Sequence, residues 1–216
     1  MNESKHRKNH KKNISPVWEE IKQKVRFRLI NREQNQEYLK SHVYREYLDL
    51  AAVFGVEAAD LKAVKVLIPV TETMASEWGV TADDLWAAAL ANLEEEECIV
   101  VDIRYMIPGG IEENKEDINM YVCMTQDGSG NGGAGAILKK DLLKQFAGEH
   151  KEKIYILPSS VHEMLLVPDD GKGVENVLKE MVEEVNDGFR YESPEEWLSD
   201  SVYYYDREKD EVRIAA

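Results

Sequence analysis

Between positions 174 and 185, six apolar side chains recur at the spacing of one helix face: Val174, Val177, Leu178, Met181, Val182 and Val185. Glu175, Lys179, Glu180, Glu183 and Glu184 occupy the other side. Such a helix cannot bury its stripe alone, so it demands a flat apolar surface to lie on. The residues before it supply one. Ile154–Leu157 and Val161–Val167 read as strands separated by Pro158-Ser159-Ser160, and neighbours in sequence usually pack together. The helix is therefore expected across an antiparallel sheet containing both strands, with Leu178 and Met181 buried near the middle of the contact.

The rest of the chain alternates the two periods. Val17–Lys24 reads as a short helix and Val25–Ile30, with Arg26 and Arg28 between apolar residues, as a half-buried strand. Asn31–His42 is a polar, helical connection. Tyr47–Phe54 and Val64–Val70 suggest an antiparallel hairpin around a loop at Gly55–Lys62. Thr71–Trp78 forms a short helix stopped by Gly79. Thr81 caps the next one, with Asp83 and Asp84 at its positive end. Trp86, Leu90 and Leu93 share a face of that helix, which is expected to end near Leu93 ahead of the acidic run Glu94–Glu97. Cys98–Ile107 and Ile118–Met124 read as strands, Ile137–Ala147 as a helix stopped by Gly148, and Val202–Asp206 with Glu211–Ile214 as a final hairpin. The fold class is α+β, with mostly antiparallel sheet packed by a few amphipathic helices.

Charge is unevenly spread. The 216 residues carry a net charge of −15, yet the first 13 carry +4, through Lys5, Arg7, Lys8, Lys11 and Lys12 against Glu3. Residues 1–14 are expected to be a disordered basic tail, because its few apolar groups cannot offset an ordering cost of about 1–2 kcal/mol per residue. Residues 15–216 are expected to form one α+β domain, with a division into two lobes near 95–118 as the alternative. The acidic body repels phosphate backbones, which leaves nucleic-acid contact to the tail alone. No apolar run is long enough for a membrane span, and the first residues lack the apolar core of a secretory signal. Cys98 and Cys123 lie far apart in apolar surroundings and read as reduced core residues. These features point to the cytoplasm.

The order of segments resembles an uncharacterised bacterial family, the domain of unknown function 5688. The resemblance rests on Val25–Asn31, Tyr44–Phe54, Met74–Val80, Met120–Thr125, Ala134–Leu138, Ile154–Pro168 and Leu198–Ile214, and its most distinctive string is Tyr155-Ile-Leu-Pro-Ser-Ser-Val-His-Glu-Met-Leu-Leu-Val-Pro168. It implies a shared fold and a bacterial or phage setting, in a version shortened at the N-terminus, and it implies no activity. Where the family has a few residues ending in Asn-Gly, this chain has Asp127-Gly-Ser-Gly-Asn-Gly-Gly133.

Gly128–Gly133 satisfies G-x-G-x-x-G between a strand and a helix, but no acid follows in position to hold a ribose and no Lys-Ser or Lys-Thr pair makes a P-loop. A mobile surface loop without nucleotide is expected there. His162-Glu163 opens like H-E-x-x-H, but position 166 is Leu, so no helical two-histidine zinc site exists. One catalytic arrangement is conceivable: Ser159 or Ser160 as nucleophile, His162 as base, and Asp169 or Asp170 as orienting acid. It lacks the usual nucleophile elbow. In Tyr203-Tyr204-Tyr205 strand alternation buries Tyr204 and turns Tyr203 and Tyr205 outward as a partner-binding patch. The favoured expectation is a non-enzymatic interaction or regulatory module with a protein partner and neither cofactor nor metal. A small hydrolase around His162 is the alternative, and nucleic-acid contact through the tail a weaker one.

Overall fold

The computed structural model describes residues 14–60, 65–106, 118–125, 133–150 and 153–215. The basic tail and most of the glycine-rich loop therefore lie outside the described residues. The fold is α+β, built on two antiparallel sheets.

The first sheet holds β1 (Val25–Asn31), β2 (Tyr44–Tyr47), β3 (Leu50–Asp60) and β4 (Lys65–Pro69). The long β3 pairs with β1 along one side and with β2 and then β4 along the other. The second sheet holds β5 (Cys98–Asp102), β6 (Tyr121–Thr125), β7 (Lys153–Ser160), β8 (Glu163–Pro168), β9 (Tyr203–Asp206) and β10 (Glu211–Ile214), ordered β10-β9-β7-β8-β6-β5. The helices are α1 (Pro16–Ile21), α2 (Gln36–Leu39), α3 (Glu72–Trp78), α4 (Ala82–Glu95), α5 (Leu142–Glu149) and α6 (Glu175–Glu192).

One core unites the two sheets. Val25, Phe27, Leu29 and Phe54 of the first sheet and Ile154, Ile156, Met164, Leu166 and Tyr203 of the second belong to it, joined by Leu85, Ala89 and Leu93 of α4. A 3-10 segment, Gly133–Leu138, runs through this layer with its first five residues buried. It has no room for side chains at its glycines. A Cβ on Gly135 would stand 2.8 Å from the Phe27 ring, and one on Gly133 would stand 2.0 Å from the His162 carbonyl oxygen. The opposite face of the second sheet is covered by α6: Leu178 and Val182 pack with Tyr155, Leu157, Val167, Val202 and Tyr204.

Cap chemistry behaves as read. Thr71 accepts from the Met74 N–H, Gly79 closes α3 at φ 71°, and Thr81 with Asp84 forms a capping box on α4. Helix α4 runs on to Glu95, because tertiary bonds hold its end: Lys139 Nζ donates to the Glu94 and Glu96 carbonyls. Its buried line is Leu85, Ala89 and Leu93, with Trp86 and Leu90 half-buried beside it.

Several boundaries differ from the expectation. Strand β3 continues through Gly55, which pairs with Pro69, so the hairpin's connection shrinks to residues 61–64. Pro158-Ser159-Ser160 does not separate strands; it completes β7, with an irregular register between Leu157 and Ser160. The stretch Ile137–Ala147 is a 3-10 segment and a separate helix, because Asp141 adopts φ 59° between them, and Gly148 lies inside α5. Strand β5 stops at Asp102, where the side chain accepts from the Arg104 N–H and starts a 3-10 turn. Helix α6 lies on β7 as expected, with Leu178 fully buried, but Met181 is only half-buried and Val177 and Val185 are each 51% exposed. The sheet accepts a narrower stripe than the sequence offers.

Candidate functional site

The β7–β8 turn presents His162. Its backbone N–H donates to the buried Ser160 Oγ at 3.1 Å, and the Val161 N–H donates to the Glu196 carbonyl. The ring is half-exposed. Its Nε2 lies 3.8 Å from Glu196 Oε1, and its buried Nδ1 has no hydrogen-bond partner among the described residues. Neither Ser159 nor Ser160 bonds the ring.

The two aspartates of the expected cluster lie elsewhere. Asp169 sits past the other end of β8, where its N–H donates to the Lys153 carbonyl. The six residues of β8 separate it from the turn, a span of about 20 Å at roughly 3.3 Å per residue. Its carboxylate accepts from the Tyr204 hydroxyl at 3.3 Å and from the Gly171 N–H at 2.8 Å. Asp170 accepts from the Lys172 N–H and pairs with its ammonium group. The Ser/His/Asp arrangement is therefore not assembled. A strand hairpin that brings His162 to one end necessarily carries residues 169 and 170 to the other.

The densest polar constellation was not anticipated. Asp49, in the two-residue turn between β2 and β3, accepts from Tyr203 Oη at 2.5 Å, from Ser201 Oγ at 3.0 Å and from Ser199 Oγ. Leu48 beside it adopts φ 54°, a left-handed conformation uncommon for a branched apolar residue. The same connection between α6 and β9 is held by two buried asparagines. Asn31 Nδ2 donates to the Leu198 carbonyl at 2.7 Å, and Asn186 Nδ2 to the Ser199 carbonyl at 2.9 Å. An irregular segment buried in this way must find partners for its main-chain groups, and these side chains supply them. Burial and the adjacent Asp49 carboxylate push the Tyr203 hydroxyl well above its ordinary pKa. The sequence held a signal for this latch: an acid inside the apolar run Tyr47–Phe54, and Ser199-Asp200-Ser201 just ahead of the tyrosines.

Tyr203 and Tyr205 do not form an outward patch. Tyr203, Tyr204 and Tyr205 are all buried. The alternation is real, but this strand lies in the second sheet with helix α6 over one face and the main core over the other, so both directions lead inward. Each ring is buried while its hydroxyl reaches an acid at the rim: Tyr203 to Asp49, Tyr204 to Asp169, and Tyr205 to Asp210 at 2.6 Å. Cys98 is half-buried and Cys123 buried, and neither is in a disulfide. Burial, with Cys98 nearby, pushes the Cys123 thiol up to about 12. Among the described residues no cluster of His, Cys, Asp or Glu could hold a metal ion, and no helix is long and apolar enough to cross a membrane.

Residues 1–207 match the model of a family described as "Family of unknown function (DUF5688)". The chain belongs to this family. The match to DUF5688 includes the basic segment 1–13 and ends before β10. Comparison with curated proteins and with solved structures found no match. The string Tyr155–Pro168, the most distinctive part of the resemblance, forms the β7–β8 hairpin at the centre of the second sheet. Tyr155, Ile156, Leu157, Met164, Leu166 and Val167 in it are buried.

Proposed function

We propose that this member of DUF5688 is a non-enzymatic protein-interaction module of regulatory character, working in a bacterial or phage-associated cytoplasmic setting. The observation that carries the reading is the flank of α6. Val177, Met181 and Val185 fall along one line of this helix, and Val177 and Val185 are each 51% exposed. A line of apolar side chains beside a buried stripe is the surface that a partner's groove or helix takes up. The polar groups weighed for catalysis have other work: Ser160 and Asp169 accept main-chain N–H groups, and the Asp49 cluster fastens a connection. Two cysteines without a disulfide accord with a reducing compartment. The basic segment offers nucleic acid or an acidic partner a further contact.

Affinity capture from host lysate tests the reading with three baits: the full chain, Val177→Asp/Val185→Asp, and His162→Ala. A partner held by the first and third and lost by the second supports it. Turnover of ester or amide substrates that disappears in His162→Ala would overturn it in favour of a hydrolase.

A further inference from the structure

The second sheet ends at β5, whose only strand neighbour among the described residues is β6. The ladder fixes which main-chain groups face away. Opposite residues in an antiparallel pair alternate between hydrogen-bonded and non-bonded. The Ile103 N–H donates to the Met120 carbonyl at 3.1 Å, so residues 103, 101 and 99 are in bonded positions. The N–H and C=O of Val100, opposite Cys123, then point away from β6, along an edge that no described strand covers. Strands left open in this way are commonly blunted by lysine, proline or a bulge. Here the strand itself is Cys-Ile-Val-Val-Asp.

Beside this edge lies a groove of about 260 Å³ between β5 and α5. Cys98 and Val100 form its floor, Leu142 and Phe146 its wall, with Lys140 and Glu149 on its rim. The two charges mark opposite ends. The Lys140 N–H bonds the Glu94 side chain, just ahead of β5. Glu149 precedes His150, whose ring packs on Tyr121 opposite Asp102. Beyond Asp102 come Arg104, whose guanidinium already pairs with the Asp102 carboxylate, then Tyr105 at 86% and Met106 at 45% exposure.

We propose that β5 pairs antiparallel with β5 of a second copy of this chain, on a two-fold axis through Val100, to make one continuous twelve-stranded sheet. Rotation about that axis sets Val100 against Val100, Cys98 against Asp102 and Glu96 against Arg104. It carries Lys140 toward Glu149 of the second copy and the acidic run Glu94–Glu97 toward Arg104 and Tyr105 of the second copy. Both halves of each complementary pair are on this chain, as an isologous interface requires. The two grooves meet over the added strands, and Tyr105 and Met106 gain cover. The net charge of −15 opposes association, but at physiological salt it is screened beyond about 8 Å, whereas the edge contacts act at shorter range. The proposal does not depend on the α6 surface.

Light scattering on a size-exclusion column tests it, with the full chain in a dilution series. The expected mass at high concentration is twice the 24.7 kDa of one chain, falling to one chain on dilution. Proline is accepted on an edge strand where its missing N–H faces outward. Val100→Pro should therefore keep the near-ultraviolet circular dichroism spectrum and be monomeric throughout. Lys140→Glu and Glu149→Lys should each weaken association by about tenfold or more, and the double variant should restore it. A monomer at every concentration overturns the proposal. So does a dimer that persists in folded Val100→Pro, or a double variant no better than either single one.

Discussion

Replacing Asp49 by alanine tests whether the polar latch holds the α6–β9 connection in place. The carboxylate accepts three hydroxyl hydrogens, from Tyr203, Ser199 and Ser201. Tyr203 is 0% and Ser199 3% exposed, so neither hydroxyl can turn to water when the acceptor is lost. Each buried donor left without a partner costs about 1–3 kcal/mol, so the two together cost roughly 2–6 kcal/mol. Ser201 is half-buried and finds solvent. Removing a half-buried carboxylate recovers some solvation, which makes about 2 kcal/mol the firmer lower bound. Against a total stability of about 5–15 kcal/mol this is a large fraction. Tyr203→Phe should cost about 1.5–3 kcal/mol, the range for a bond to a charged acceptor. The double variant should cost less than the sum of the singles, because each removes the same bond. Urea unfolding followed by tryptophan fluorescence gives all three values. A change under about 0.5 kcal/mol for Asp49→Ala, or strict additivity with Tyr203→Phe, would refute the account.

Leu178→Ala should cost about 2–5 kcal/mol, because Leu178 is fully buried between α6 and the second sheet, whereas the exposed Glu180→Ala should stay within about 0.5 kcal/mol; equal urea midpoints would mean the wrong face was assigned. The folded pKa of Tyr203 is raised, so its contribution is complete below the unfolded value of about 10 and is lost as pH rises through the folded value. Stability should accordingly fall above pH ~10 by about 1.4 kcal/mol per pH unit from this group, and Tyr203→Phe should show a shallower alkaline slope in pH-dependent urea titrations. Gly133→Ala should destabilise by about 1–3 kcal/mol or more, since the added carbon meets the His162 carbonyl, and a melting temperature unchanged from the parent would contradict the packing described for the 3-10 segment.

Local chemistry and periodicity determined much of this protein from the sequence alone. Thr71, Gly79, Thr81 and Asp84 set both ends of α3 and the start of α4 through bonds to their own turns, so no distant residue had to be known. The spacing of Val174 to Val185 fixed a helix and the side it must bury, and chain order placed it on β7. Only tertiary structure decided what lay on the far side of each element. Alternation in Tyr203-Tyr204-Tyr205 says that the side chains point in opposite directions, but not that both directions are occupied. Its second cover is the core shared with a sheet about 150 residues earlier in the chain. The Asp49 latch likewise joins residues 49 and 203, and no pattern local to either one encodes that meeting. His162 and Asp169 show the converse: seven positions apart in sequence, they are held at opposite ends of β8 because an extended strand adds about 3.3 Å per residue. Propensity and pattern act within a turn or a pleat; coincidence of side chains in space depends on sheet order, which long-range burial selects.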